Sequence, residues 1–439
     1  MSPVDLLPLH LGSKAQGTVR VPGSKSLSNR LLLLAAVASG ETTLTHLLDS
    51  DDIQRMRDAL AALGVETESR EAGLWVRGAG GRLRAPSAEA LHLHLGNAGT
   101  AMRPLTALLA HGEGTFILDG DPRMRERPLG PLVDALRTLG ADITYLGTEG
   151  YPPLKIEGRP LAGGAVRIDG TLSSQFVTAL MMLAPQLPGG FTIHREGELV
   201  SDPYLEITRR CLAHFGAASA WPEPRTLTVP EAPLVAPGHL PVEGDASSAS
   251  YFLALGALAG GPVRVTGVGQ DSMQGDVAFL EVLAQAGAVT RSGPDWLETE
   301  GGTLRGVDVD LNAIPDAAMT LGVVALFAQG RTRIRGVANW RVKETDRIAA
   351  MATELRKLGA AVKEHSDGIT VTPPEALRPA QIATYDDHRI AMCFSLAAIG
   401  GTEVVIEDPA CVRKTYPAYF TDFVQLFDQT SWEAKVWQN

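Results

Sequence analysis

Six stretches of the chain are apolar on nearly every side after a first turn of small or polar residues, and each runs into a glycine. They read SNRLLLLAAVASG, GTAMRPLTALLAHGEG, SSQFVTALMMLAPQLPGG, SSASYFLALGALAGG, DAAMTLGVVALFAQG and DHRIAMCFSLAAIGG. Capping residues in front and glycine behind predict helices, and the lack of a polar face predicts burial on several sides. After each comes a short alternating run, TTLTHL, TFILDG, FTIHREG, VRVTGV, TRIRGV or EVVIED, which predicts a strand. A second, amphipathic helix follows, as in DDIQRMRDALAALG and SDPYLEITRRCLAHFG, and its polar stripe predicts an outer position. Several units then close on two short strands, such as VETES with LWVRG and AAVKE with GITVT.

The glycines measure the period. Gly40, Gly114, Gly190, Gly261, Gly330 and Gly401 end the apolar helices at spacings of 74, 76, 71, 69 and 71 residues. Gly64, Gly140, Gly216, Gly287 and Gly359 end the amphipathic ones at spacings of 76, 76, 71 and 72. Two markers with one period define six internal repeats of the form βαβαββ. A chain of 439 residues exceeds one ordinary core, so the repeats divide into two α/β domains of three. One domain is expected over residues 24–242, the other over 243–439 together with 1–23. The sixth repeat has only residues 428–439 left for closing strands, so the strand-like Gly17–Pro22 is expected to complete it. The Pro- and Gly-rich run from Pro230 to Gly244 suits one crossing between domains.

Composition narrows the partners. Charged residues make up 20% and the formal charge is −11, which argues against nucleic acid, where a basic face is the expected footprint. No basic region with a long apolar core opens the chain, and the most apolar run, Leu31–Ala38, is far too short for a bilayer. A cytoplasmic protein with no membrane partner is expected. Cys211, Cys393 and Cys411 are odd in number and widely spaced, fitting buried thiols rather than disulfides or a zinc site. His92 and His94 share a strand face without a third ligand, so their expected role is structural.

Against this acidic balance, the cations at helix starts stand out. Lys25, Arg30, Arg127, Lys343, Arg389 and Lys414 lie at or just before predicted helix N-termini, where the macrodipole is already positive. Cations there are repelled unless an anion lies among them, which points to small, multiply charged anionic ligands. PGSKSLSNR offers helix-start donors with Lys25 and Arg30 but lacks the spacing of a nucleotide-triphosphate loop. LGNAGTAMRP places Asn97 and Gly99 at a helix start, as a tight turn or as a close approach for a ligand. PRMRERP sets three arginines before a helix, and at least one reads as a ligand. Ser173, Ser174, Gln175 and Ser201 offer hydroxyls and an amide, as caps or as ligand groups. NWRVKETDR is the densest cluster, with Asn339, Lys343, Glu344 and Arg347; on a helix Lys343 and Glu344 would neighbour Arg347. A surface salt-bridge cluster is the alternative, but this segment fills the repeat slot held by residues 122–128. Asp316 opens the fifth apolar helix and reads as a cap.

Taken together, GSKSLSNR, LGNAGTAMRPL, RMRERPL, SSQF, SDPY, NWRVKETDR, DDHRIAM and CVRKTYP resemble the enolpyruvyl transferase family from end to end, and SSQF resembles its shikimate branch. The resemblance implies an inside-out α/β fold of two domains, each of three βαβαββ units, closing on substrate. It also implies a reaction in which the 5-hydroxyl of shikimate 3-phosphate adds to C2 of phosphoenolpyruvate while C3 is protonated. The adduct then loses phosphate and a C3 proton. By position, Lys25, Ser26, Arg30, Ser173, Ser174, Gln175, Ser201, Asp316, Asn339 and Lys343 would hold shikimate 3-phosphate. Lys25, Asn97, Gly99, Arg127, Gln175, Arg347, Arg389 and Lys414 would hold phosphoenolpyruvate. Asp316 and Glu344 would handle protons, with Lys25 assisting the departing phosphate. Such chemistry needs an acid for carbon and a base for oxygen, and cations to offset two dianions. The resemblance implies no metal or organic cofactor, no partner beyond the two small-molecule substrates, a monomeric chain, and inhibition by glyphosate at the phosphoenolpyruvate site.

Two other readings compete. The sister transferases acting on UDP-N-acetylglucosamine typically carry a reactive cysteine in a mobile loop, and Arg123–Pro128 has none. A partner-binding repeat scaffold would need open, polar-capped ends, whereas this chain is expected to bring its ends into one domain.

Overall fold

Every glycine that marks the repeat turns the backbone through a conformation L side chains avoid. The six that end the apolar helices have φ between 34° and 110°, and the five that end the amphipathic helices between 77° and 107°. Glycine adopts this region at no steric cost, so the period in the sequence is a period of left-handed helix exits.

The computed structural model describes residues 5–169, 173–197 and 202–427. The chain forms two compact units, Gly23–Val242 and the combination of Met1–Pro22 with Glu243–Asn439. In Gly23–Val242 the apolar helices are Lys25–Val37, Gly99–Ala110 and Ser174–Leu183, and nearly all their residues are buried. The sheets around them alternate buried positions with half-buried ones in Gly114–Asp119 and with exposed ones in Gly164–Asp169. Helices therefore fill the interior and sheets face outward, the reverse of the usual α/β layering.

The second repeat shows the pattern. Strand Leu91–His94 lies parallel to Gly114–Asp119 across the helix that joins them, with Leu91 opposite Phe116. Leu154–Gly158 and Asp142–Tyr145 extend the sheet antiparallel. The third and fifth repeats build four-stranded sheets in the same order.

The first and fourth repeats exchange their opening strands. Gly17–Arg20 precedes helix Lys25–Val37 in sequence, yet it pairs parallel with Val263–Thr266 of the fourth repeat, Gly17 opposite Val263. Gly238–Pro241 precedes helix Ala246–Ala259, yet it pairs parallel with Glu41–Thr45 of the first. The segment 17–22 therefore does not complete the sixth repeat, contrary to the expectation from sequence. That role falls to Leu6–Leu9, antiparallel to Val404–Glu407 with Leu6 opposite Glu407, beside the parallel strand Ala380–Ile382. Among the described residues the sixth sheet has three strands. Cys211 and Cys393 are buried while Cys411 is half-buried, so the third thiol is more accessible than expected. No helix among the described residues is long and apolar enough to cross a membrane.

Candidate active site

In Gly23–Val242 the starts of the apolar helices are tied together by polar side chains. Lys25, the first residue of its helix, is buried and lies 3.4 Å from Asp52. Ser26 beside it is half-buried. Asn29 donates to the Thr100 hydroxyl at 2.7 Å, linking that helix to the turn after Gly99. Arg30, only 4% exposed, donates from Nε to Thr208 at 2.9 Å and from Nη2 to Thr178 at 3.2 Å. Its Nη1 donates to the Ser26 carbonyl at 2.9 Å. Burial lowers the affinity of its guanidinium for the proton.

The three arginines of the 122–128 run divide by partner. Arg123 pairs with Glu126 and Arg125 with Asp119, both largely at the surface. Arg127 is 4% exposed, and its Nη1 donates to the main-chain and side-chain oxygens of Asn97 at 3.0 and 2.9 Å. Its buried Nε has no hydrogen-bond partner among the described residues. Gly99 is the first residue of its helix and faces the guanidinium groups of Arg127 and Arg103. Sequence reasoning passed over Arg103, although an arginine inside the otherwise apolar GTAMRPLTALLA was a signal; it is 3% exposed and donates to the Pro128 carbonyl at 3.3 Å. Ser173 caps the third helix by accepting from the Gln175 amide at 3.2 Å, and Ser174 beneath it is buried. Ser201 lies outside the described residues.

The other unit presents an ion-pair network. Asp316 is not a helix cap, as its position suggested; it precedes the helix Ala318–Val324, whose cap position is Ala317. Its carboxylate instead meets Arg347 at 2.9 Å, Arg389 at 3.1 Å and Lys343 at 3.5 Å. Burial pushes its carboxyl up, but Arg389, Lys343 and Arg347 outweigh that and hold it well below the usual carboxylate range. Lys343 sits ahead of the helix Arg347–Lys357, so the expected helical spacing to Arg347 does not apply. Burial lowers its ammonium, partly offset by Asp316. Glu344 does reach Arg347, at 2.9 Å.

Arg347 is the hub. Besides Asp316 and Glu344 it binds both oxygens of Asp387, at 2.7 and 3.2 Å. Burial opposes its charge, but Asp387, Glu344 and Asp316 hold it firmly protonated. Asp387 also caps the helix His388–Ser395 by accepting from the Arg389 amide at 3.0 Å. Arg389 completes the set through Asp316 and the Tyr251 hydroxyl, the latter at 3.2 Å. Asp387 and Tyr251 were not anticipated as site residues; the capping position of Asp387 was visible, its second task was not. Asn339 is buried in the turn Ala338–Val342 just before Lys343.

Lys414 differs from the expectation and from its neighbours. It ends the 3-10 turn Pro409–Lys414 rather than starting a helix, so the local dipole favours its charge. It is 8% exposed and makes no hydrogen bond or ion pair among the described residues. Arg30 and Arg127 likewise have no acidic partner among the described residues. His94 pairs with exposed Asp121 at 3.0 Å, and no metal-binding cluster of His, Cys, Asp or Glu occurs among the described residues.

Comparison with known proteins gives one family over nearly the whole chain. The family model for EPSP synthase (3-phosphoshikimate 1-carboxyvinyltransferase) matches residues 9–423. A 3-phosphoshikimate 1-carboxyvinyltransferase of Aliivibrio salmonicida is 57% identical over 94% of this chain and 97% of its own length. One from a Marinomonas species is 54% identical over 96% of this chain and 99% of its own. Among solved structures, EPSP synthase from Acinetobacter baumannii superposes with a TM-score of 0.79 at 27% identity, covering 97% of this chain and 98% of that one. The enolpyruvyl transferase NikO from Streptomyces tendae, at 20% identity and a TM-score of 0.78, shares the fold.

Proposed function

The chain belongs to the EPSP synthase family and transfers the enolpyruvyl group of phosphoenolpyruvate to the 5-hydroxyl of shikimate 3-phosphate, releasing phosphate; we propose that the polar groups described above carry out this reaction. Shikimate 3-phosphate is held by Lys25, Ser26, Arg30, Ser173, Ser174, Gln175, Ser201, Asp316, Asn339 and Lys343. Phosphoenolpyruvate takes Lys25, Asn97, Gly99, Arg127, Gln175, Arg347, Arg389 and Lys414. The enzyme acts as a monomer in the cytoplasm.

One observation supports this reading above the rest. Arg30, Arg127 and Lys414 are buried cations without acidic partners among the described residues. Burying a charge unpaired is costly, and an anion bound among these groups offsets that cost. Dianionic substrates supply that anion, and a dry, preorganised set of donors stabilises charge developing on the departing phosphate.

Proton handling follows from the other network. Asp316 is a weak base while three cations face it. Substrate anions that draw on Arg389 and Lys343 weaken that hold, so its basicity rises once the site is filled. It then accepts the 5-hydroxyl proton, while Glu344, protonated for the addition, gives its proton to C3 and takes one back from C3 as phosphate leaves, so that a base for oxygen and an acid for carbon act in one site. Phosphate release from phosphoenolpyruvate, measured with shikimate 3-phosphate and separately with UDP-N-acetylglucosamine, tests the assignment. Turnover with the second alone would overturn it.

A further inference from the structure

Arg30 is a long, flexible side chain placed where a substrate needs a fixed charge, and the chain around it leaves no freedom. A guanidinium has five N–H groups. Nε donates to Thr208, Nη2 to Thr178 and, at 3.5 Å, to the Tyr204 carbonyl, and Nη1 to the Ser26 carbonyl. One N–H on Nη1 is left for a ligand.

The Tyr204 carbonyl, which can only accept, sets the direction of the hydroxyl bonds. Thr208 donates to the Tyr204 carbonyl at 2.9 Å, so it must accept from both Arg30 and Thr178. Thr178, 3.1 Å away, therefore donates to Thr208 and accepts from Arg30. Both threonines are buried, at 2% and 0% exposure. They lie on the helices Ser174–Leu183 and Pro203–His214, and Arg30 lies on Lys25–Val37. The network thus joins three helices through one charge that no carboxylate balances among the described residues.

We infer that Thr178 and Thr208 are positioning residues for shikimate 3-phosphate: their hydroxyls fix the Arg30 guanidinium so that its remaining N–H and its charge point at that substrate. The inference rests on the reading of Arg30 as a ligand of shikimate 3-phosphate. Valine matches threonine in shape but cannot accept from the guanidinium, which then loses its orientation in an unchanged volume.

The experiment is steady-state kinetics with each substrate varied in turn, for Thr178→Val, Thr208→Val, Thr208→Ser and Arg30→Gln. The valine variants should raise KM for shikimate 3-phosphate about tenfold, the loss of one hydrogen bond to a charged group. Their kcat should fall by less than about threefold and KM for phosphoenolpyruvate stay within about twofold, since uniform binding of one substrate is affected. Thr208→Ser keeps the hydroxyl and should restore the wild-type KM, which a merely structural packing role would not require. If the valine variants do not fold, Thr178→Ala and Thr208→Ala carry the same comparison. Unchanged KM in the threonine variants, with Arg30→Gln raising it, would overturn the inference and leave the site reading standing. An unchanged KM in Arg30→Gln would overturn both.

Discussion

A methyl group on Gly99 would lie 2.7 Å from Nη2 of Arg127. That guanidinium is held on its other arm by two bonds to Asn97, so it cannot turn aside without losing them. Overpacking of this kind costs about 1–3 kcal/mol. Gly99→Ala should therefore weaken competitive inhibition by glyphosate roughly tenfold or more, raise KM for phosphoenolpyruvate by less, and leave KM for shikimate 3-phosphate unchanged. An inhibition series at several phosphoenolpyruvate concentrations measures all three; equal inhibition constants in the two proteins would separate Gly99 from the site.

Lys414 sets stability against function. Lys414→Met removes a buried charge that has no partner among the described residues while keeping the length of the side chain. The free enzyme should gain about 1 kcal/mol, seen as a Tm higher by about 2–4 °C. KM for phosphoenolpyruvate should rise about tenfold or more, as a charge-assisted bond is lost. A lower Tm would show that the ammonium is already neutralised in the free protein.

Asp316 and Glu344 share Arg347 but are proposed to act on different protons. Asp316→Asn and Glu344→Gln keep volume and lose the ability to exchange a proton, so each should reduce kcat by about 10²–10⁴-fold. Affinity for shikimate 3-phosphate, measured by calorimetry, should change far less. A loss confined to binding, with kcat intact at saturation, would reduce both to structural ion-pair partners.

Asp276 gives a pH dependence with a definite sign. Buried beneath the Ser247 hydroxyl, which donates to it at 3.0 Å, its carboxyl is pushed up from 3.8 to about 6, first by burial and then by Asp316. The folded protein therefore binds a proton between those values that the unfolded chain releases. This contribution is complete below about pH 3.8 and is lost as pH rises through 6. Asp276→Asn lacks the transition, so its stability relative to wild type should increase by up to about 3 kcal/mol between pH 4 and pH 7. Denaturation of both proteins across that range measures the difference; a constant difference would place the Asp276 carboxyl outside this titration.

The elements were legible because local rules govern them. Glycine exits, capping residues and two hydrophobic periods identified all six apolar helices and the strands that follow them. The exchange of Gly17–Arg20 and Gly238–Pro241 was not legible, because each precedes an apolar helix and offers the same parallel edge chemistry to either sheet. Asp316 shows a second limit. Its neighbours in sequence suggest a cap, while the partners that fix it, Arg347 and Arg389, lie 31 and 73 positions further on. The positive charges of Lys25 and Arg389 at helix starts could be read directly, while Lys414 ends a turn instead; which of the cations the fold leaves without acids could not be read, since that depends on carboxylates such as Asp387 arriving from another repeat.

The placement of Leu6–Leu9 against Val404–Glu407 also has a consequence during synthesis. At ribosomal rates of about 5–20 residues per second, the nascent amino-terminal strand waits roughly 20–80 s for its partner to emerge. Gly17–Arg20 waits less, for Val263–Thr266. Over the same interval Gly23–Val242 leaves the ribosome as one uninterrupted stretch carrying all the strands of its three sheets. The middle of the chain can therefore fold first, while the amino terminus remains an open edge that a chaperone or a second nascent chain can engage before the last repeat closes over it.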